Sequence, residues 1–155
     1  MRSAAEGHRL AELLGLEPLP GEGGLYRQTV ADGRSSAIYF LLIAPEFSAM
    51  HRLDSPEVYH FYAGAPLRLL LLHPDGTATE PVLGTDLGTD LAAGQRPQLL
   101  VPAGVWQGSS SLGAWSLVGT TMAPPFSSGG FELGDTDALR TGWPAAADRV
   151  AQLCR

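Results

Sequence analysis

Two histidines and a glutamate lie close together between Phe47 and Gly64, in the run FSAMHRLDSPEVYHFYAG. The histidines are His51 and His60, and Glu57 lies between them. An imidazole can ligate a metal or transfer a proton near neutral pH. A carboxyl group inside a protein must be paired, protonated or bound to metal, which makes it a candidate ligand or a base with a raised pKa. The segment therefore predicts a metal site or a proton-transfer site.

His51, Glu57 and His60 are accordingly the candidate catalytic residues. Strict alternation along a strand places His60 on the face opposite Glu57, because the two are three positions apart. Each residue also has a structural interpretation. His51 could be a hydrogen-bonded histidine of the wall, and Glu57 could form an ion pair with Arg52 or Arg96. His60 could pack between sheets or subunits.

A second group of residues has the chemistry of ligand binding. Amides both donate and accept hydrogen bonds, arginines bind carboxylate and phosphate, and aromatic rings line pockets. The alternatives are a strand-end role for the amides, a solvated rim for the arginines and a core position for the rings. The candidate substrate-binding residues are Gln98, Gln107, Arg52, Arg96, Tyr39, Tyr59 and Trp106.

The elements that must position these side chains are mostly short strands. Strand-like runs follow one another from residue 35 to 122, separated by turns such as Asp75-Gly76. Residues 84–94 are predicted as a loop. Residues 3–14 and a second segment near the C-terminus have helical spacing, and Gly15 is a plausible helix stop. We predict an all-β fold, a double-sheet barrel or jelly roll with short N- and C-terminal helices, in one domain over residues 1–155.

Composition excludes several classes of function. The 155 residues include 19 Gly and 12 Pro, as expected for many turns, and the net charge is −6 with no lysine. Such a chain is a poor candidate for binding nucleic acid or anionic membranes. The apolar runs are too short to span a bilayer, and Cys154 is the only cysteine. We expect a cytoplasmic protein with a small-molecule ligand inside the barrel.

Two motifs resemble those of cupin barrels. A first cupin motif has two histidines one residue apart, then a glutamate and a glycine. Here His51, Leu53, Glu57 and Gly64 have that spacing, with leucine in place of the second histidine. The second motif ends in Pro-x-Gly-x-x-His, and the run from Pro102 to Gln107 matches it except that glutamine replaces the histidine.

A longer match identifies the chain as a member of the cupin subfamily DUF985 (cupin_5). The segments that carry it are IYFLL, FSAMHRLDSPEVYHFYAGAPL, AGQRPQLLVPAGVWQ and SLVGTTMAP. The chain departs from the subfamily pattern at Ser55-Pro56, Tyr59, Thr120 and Pro125. The resemblance implies a double-stranded β-helix, the cupin jelly-roll barrel, and a homodimer that exchanges edge strands.

The resemblance also frames the question of a metal. A standard cupin offers three histidines and a glutamate to iron, manganese, nickel or zinc. The corresponding positions here hold only two clear ligands, His51 and Glu57, with the amide of Gln107 as a weak third. We therefore expect no resident cofactor, and a divalent transition metal on His51 and Glu57 is the less favoured alternative.

Three functional hypotheses follow. The first is a small-molecule enzyme of isomerase, epimerase, cyclase or lyase type that uses His51 and Glu57 for proton transfer. By association, it could be a tailoring enzyme in biosynthesis. The second is a non-catalytic barrel that binds a sugar- or nucleotide-like ligand. The third is a metal-dependent cupin enzyme.

Overall fold

Two antiparallel sheets face each other in the computed structural model, which describes residues 2–84 and 91–155. The first sheet has the strand order β1-β2-β3-β11-β5-β9. The second has the order β12-β4-β10-β6-β7, and β8 also pairs with β6. The strands are β1 (Glu17–Pro18), β2 (Leu25–Ala31), β3 (Ser36–Ile43), β4 (Phe47–Leu53), β5 (Glu57–Gly64), β6 (Leu67–Leu72), β7 (Ala78–Thr79), β8 (Val82–Leu83), β9 (Gln98–Val101), β10 (Trp106–Ser111), β11 (Trp115–Met122) and β12 (Phe131–Leu133).

The main core lies between the two sheets. It joins inward side chains of the first sheet, such as Phe40 and Val118, to inward side chains of the second, such as Leu69 and Leu71. Side chains alternate between the faces of a strand. On β5 this alternation buries Glu57 and Tyr59 and leaves His60 only partly buried. Alternation along the strand therefore determines which polar side chains point into the barrel.

Helices cover the outer faces of both sheets. Helix α1 (Ala4–Leu14) is capped by the Ser3 side chain and ends at Gly15, whose φ of 67° lies in the left-handed region. It packs on the outside of the first sheet. Helices α2 (Thr136–Gly142) and α3 (Ala147–Gln152) pack on the outside of the second sheet. Within the described residues, no helix is long and apolar enough to cross a membrane.

The sequence-based prediction of the fold class is confirmed, with differences at the edges. The predicted strands at 47–53 and 57–64 have the observed bounds. Two short edge strands, β1 and β12, have no predicted counterpart because their segments lack a period-2 pattern. Residues 85–90 of the predicted loop 84–94 lie outside the described residues. The single-domain assignment over 1–155 stays a prediction.

Candidate active site

A cavity of about 280 Å³ opens between the sheets and is lined by residues of β2, β3, β4, β5, β11 and β12. Its wall combines apolar side chains with a few polar ones. Segments before β2 and after β11 also contribute to it. The lining residues are Leu19, Pro20, Glu22, Tyr26, Gln28, Ser36, Ala37, Ile38, His51, Leu53, Glu57, Thr120, Met122, Phe126 and Phe131.

His51 is held in one orientation on β4. The side chain is 2% exposed, and its ring stacks on Phe131 with the centroids 5.2 Å apart. Nδ1 lies 2.6 Å from the main-chain oxygen of Ala49. A carbonyl oxygen can only accept, so Nδ1 must carry the hydrogen and donate it. Nε2 is therefore the atom of His51 that can gain or lose a proton.

Glu22 faces His51 from the connector between β1 and β2. Its Oε1 lies 3.6 Å from Nε2 of His51, too far for a hydrogen bond but close enough for a strong charge interaction. Its Oε2 accepts a hydrogen bond of 2.8 Å from the hydroxyl of Ser48, which is fully buried. Glu22 is absent from the residues that the sequence predicts for the site. Its only signal in the sequence is a single carboxylate within the glycine-rich run Pro20–Gly24.

The glycines around Glu22 are needed for its position. Gly21 and Gly23 have φ values of 79° and 98°, in the left-handed region. A Cβ atom on Gly23 would also lie 2.5 Å from the main-chain oxygen of Phe47. The main-chain oxygen of Glu22 accepts hydrogen bonds of 2.8 Å from the Ala49 amide and the Arg155 guanidinium. The connector is thus fixed against β4, and the Glu22 carboxylate is fixed with it.

Glu57 is the second carboxyl group of the cavity and is held from behind by an amide. Its Oε1 accepts a hydrogen bond of 3.1 Å from Nε2 of Gln107, and Oε1 of Gln107 accepts one of 2.6 Å from the hydroxyl of Tyr59. Burial raises the pKa of Glu57, and the nearby Glu22 carboxylate raises it further, while the charge of His51 and the Gln107 hydrogen bond oppose the shift. Burial also raises the pKa of Tyr59 well above its ordinary value, so Tyr59 stays a donor.

The structure places His51 and Glu57 on the same cavity, with His51 on β4 of the second sheet and Glu57 on β5 of the first. Leu53, at the position of the missing histidine, also lines the cavity. Gln107 and Tyr59 differ from their predicted role as substrate-binding residues. They lie behind Glu57, and the groups that would bind a substrate are already hydrogen-bonded within the protein. They position the carboxyl group instead.

His60 and Gln98 lie on the outer face of the first sheet, away from the cavity. The ring of His60 contacts the Thr121 hydroxyl at 3.0 Å and the Gln98 amide at 3.3 Å. Strand alternation on β5 and β9 is the physical reason. It places His60 on the face predicted for it, opposite Glu57, and it leaves both His60 and Gln98 outside the cavity in which they were candidate site residues. Tyr39 is on the same outer face, where its ring meets that of Tyr62 edge-on.

Trp106 and the two candidate arginines also lie outside the cavity. Trp106 packs on the outer face of the second sheet, and Arg52 lies over its ring at 4.6 Å while pairing with Glu132. Arg96 is exposed and donates to the main-chain oxygens of Leu91 and Gln95. The two arginines were predicted to bind substrate. The structure instead places both guanidinium groups outside the cavity, where they bond to other parts of the protein.

The donor set of the cavity does not fit a cupin metal centre. Of the four standard positions, Leu53 has no donor atom. The Gln107 amide is engaged at both ends by Tyr59 and Glu57. Among the described residues, no three His, Cys, Asp or Glu side chains are grouped so that they could hold a metal ion. Glu22 lines the cavity too, but it is not grouped with His51 and Glu57 as a metal ligand, and the two residues at the standard positions are too few for a firm site.

Comparison with known proteins assigns the architecture. The model of the family described as "Cupin superfamily (DUF985)" matches residues 8–134. The chain therefore belongs to the DUF985 family of the cupin superfamily, and its barrel is the cupin jelly roll predicted from the sequence. No functionally curated protein matches the chain significantly.

Two solved structures are similar over nearly the full length. The protein SO0799 from Shewanella oneidensis is 37% identical, with a TM-score of 0.87, and the match covers 100% of this chain and 99% of that one. A hypothetical protein from Leishmania major is 25% identical, with a TM-score of 0.84, and the match covers 95% and 97% of the two chains. Neither description states an activity.

A more distant structure shares the fold alone. Oxalate decarboxylase from Bacillus subtilis is 9% identical, with a TM-score of 0.60. The match covers 89% of this chain and 37% of that one. Cupins include enzymes and non-catalytic proteins, so this likeness assigns architecture and not a reaction.

Proposed function

We propose that the protein is a small-molecule enzyme of isomerase, epimerase, cyclase or lyase type that moves protons between His51, Glu57 and a ligand in the barrel. The observation that carries the proposal is that an imidazole and a buried carboxyl group from the two facing sheets line the same cavity. Burial raises the pKa of Glu57 and so favours its acid form, while Nε2 of His51 is left to accept a proton, and a site can use such a pair as acid and base. The cupin fold accommodates such a site without defining its substrate.

In the proposed reaction the ligand loses one proton to His51 and gains one from Glu57. Nε2 of His51 takes a proton from one atom of the ligand, and protonated Glu57 gives a proton to another. The ligand keeps its formula in an isomerisation, and the two residues exchange their protonation states. Imidazolium formed on His51 is stabilised by the Glu22 carboxylate 3.6 Å away. After the product leaves, exchange of protons with solvent restores the starting states of both residues.

Solvent-exchange labelling tests the proposal even though the substrate is unidentified. The protein is incubated in D₂O with a metabolite extract, and mass spectrometry identifies compounds that gain deuterium or change isomer. We expect His51→Asn to abolish that labelling, because the Asn amide can replace Nδ1 as donor to Ala49 while Nε2 is lost. The exposed His8 provides the matched control, and His8→Asn should label like the wild type.

Two results would contradict the proposal. One is the absence of any compound labelled in a protein-dependent way. The other is undiminished labelling by a folded His51→Asn protein, shown to be folded by its melting temperature. A ligand that binds but stays chemically unchanged on long incubation would support the non-catalytic binding barrel instead.

A further inference from the structure

Among the described residues, the acidic and basic side chains that line the cavity are two carboxyl groups and one imidazole. Glu22 and Glu57 are the carboxyl groups, and His51 is the imidazole. The other polar lining residues, among them Gln28 and Thr120, are uncharged. The cavity of about 280 Å³ is at the small end of the range for ligand pockets.

The cations of the protein are elsewhere. All ten are arginines, and among the described residues none of them lines the cavity. Arg52 and Arg96 are used on the surface, as described above. Arg155 binds the main-chain oxygen of Glu22 and pairs with Glu46. Residues 85–90 contain no Arg, Lys or His, so they add no cation to this inventory.

An anionic ligand would therefore be poorly matched to this wall. A carboxylate or phosphate that leaves water needs charged or multiple hydrogen-bond donors, which proteins usually supply with arginine. Here it would lie beside the Glu22 carboxylate with His51 as the single available cation. Glu22 is fixed by Ser48 and by its main-chain contacts, so it cannot move aside at low cost.

The free atoms of the wall favour the opposite kind of ligand. Oε2 of Glu22 is occupied by Ser48, whereas Oε1 faces His51 at a distance longer than a hydrogen bond. Oε1 is thus available to accept from a ligand hydroxyl or ammonium group. The apolar remainder of the wall, including Leu19, Ile38 and Phe126, suits a small carbon skeleton.

We infer that the cavity takes a small uncharged or cationic molecule bearing hydroxyl or amino groups, and discriminates against carboxylates and phosphates. This inference rests on the proposed function only because both concern the same cavity; it does not require that the protein be an enzyme. It favours a sugar-like ligand over a nucleotide-like one. Glu22 is its specificity-determining residue.

Matched probes test this charge preference in the wild-type protein. One set is cyclohexylmethanol, cyclohexylmethylamine and cyclohexanecarboxylate. A second set is tetrahydrofurfuryl alcohol, tetrahydrofurfurylamine and tetrahydrofuran-2-carboxylate. Binding is read from the ring NMR signals of His51, one of four histidines, assigned by their loss in His51→Asn. We expect the alcohols or amines to bind at least about tenfold more tightly than the carboxylate of the same skeleton.

Two outcomes overturn the inference. One is a carboxylate that binds as tightly as its alcohol and amine partners. The other is a failure of all four alcohols and amines to shift the His51 signals at about 50 mM, a concentration at which weak fragments normally bind.

A variant assigns the preference to Glu22. In Glu22→Gln the ratio of the amine affinity to the carboxylate affinity should fall by about tenfold. The exposed control Glu12→Gln should leave this ratio unchanged. An unchanged ratio in folded Glu22→Gln would refute the role of Glu22. The readout needs no turnover, so a failed labelling experiment and a failed charge preference remain distinguishable.

Discussion

Burial favours the protonated form of Glu57, and this protonation state is what makes it a candidate acid. The carboxyl group is 7% exposed and lies near the Glu22 carboxylate, and both circumstances raise its pKa above the ordinary value of 4.5. Gln107 donates a hydrogen bond to its Oε1, and Glu57 lines the cavity. His51 lines the same cavity as Glu57, and Nε2 is the nitrogen of its ring that is not bonded to Ala49.

Activity should decline as pH rises through the raised pKa of Glu57, because the acid then loses the proton that it must donate. Once a labelled substrate is identified, its labelling rate is measured against pH for the wild type and for Glu57→Gln. We expect the variant to lose about 10²-fold or more in rate. A variant with the wild-type rate and profile would remove Glu57 from the mechanism.

Stability should depend on pH through the same residue. The folded state holds the Glu57 proton more tightly than the unfolded state, so this contribution is complete below about pH 4.5 and is lost as pH rises through the raised pKa of the folded protein. Urea titrations should show the free energy of unfolding of the wild type falling relative to that of Glu57→Gln over this interval. Glu12→Gln, at an exposed position, should run parallel to the wild type. A parallel course for Glu57→Gln would show that burial does not shift this group.

Among the elements, the glycine-rich connector before β2 is the most consequential for the site. It adds Glu22 to a wall otherwise built from strands, through backbone bonds to β4 and left-handed glycines. The pattern of the connector resembles an ordinary loop, which explains why the sequence does not single out its carboxylate. Helices α1, α2 and α3 take no part in the cavity and instead cover the outer sheet faces.

Replacing Gly23 by alanine should therefore both destabilise the protein and displace Glu22. The added Cβ would meet the Phe47 oxygen in a backbone conformation that alanine rarely adopts, so we expect a loss of about 1–3 kcal/mol in the free energy of unfolding. Gly33→Ala is the matched control, since no atom lies within 4 Å of its Cβ position. Its effect should stay within about 0.5 kcal/mol. Equal effects of the two substitutions in urea titrations would contradict this account of the connector.

At the scale of the whole chain, every Lys or Arg position is an arginine, and among the described residues none of these arginines lines the cavity. This distribution follows from the low cost of solvating guanidinium groups at the rim and the high cost of burying them. The membership in DUF985 does not by itself assign a cofactor or an oligomeric state. Both are open to direct measurement.

Protein purified without chelators or a His tag should contain less than about a tenth of an equivalent of any transition metal, because the wall offers too few ligands for a firm site. Elemental analysis measures this directly. A stoichiometric metal, lost from His51→Asn but retained in His8→Asn, would restore the metal-dependent alternative.

The homodimer expected from the family resemblance predicts a solution mass twice that of the chain. Light scattering coupled to size-exclusion chromatography at several concentrations measures it. A solution mass equal to that of one chain at every concentration would contradict the predicted homodimer.

The features that could be predicted from the sequence are those with a local cause. Period-2 alternation is enough to locate β4 and β5 and to place Glu57 and His60 on opposite faces of β5. Motif spacing selects His51, Glu57 and Leu53, which do share the cavity. The alternation depends only on neighbours along one strand, whereas the shared cavity of His51 and Glu57 follows from the family motif, whose residues the barrel brings together across two sheets.

The remaining features depend on contacts between segments far apart in the chain. Only the tertiary structure brings Glu22 to His51, turns Gln107 toward Tyr59 and Glu57, and leaves Arg52 on Trp106 outside the barrel. Sheet pairing and the packing of connectors against it decide which side of a wall a side chain reaches. His51 and Glu57 could therefore be selected as cavity residues from the sequence, whereas the position of the Glu22 carboxylate and the location of the arginines outside the cavity became apparent only in the folded barrel.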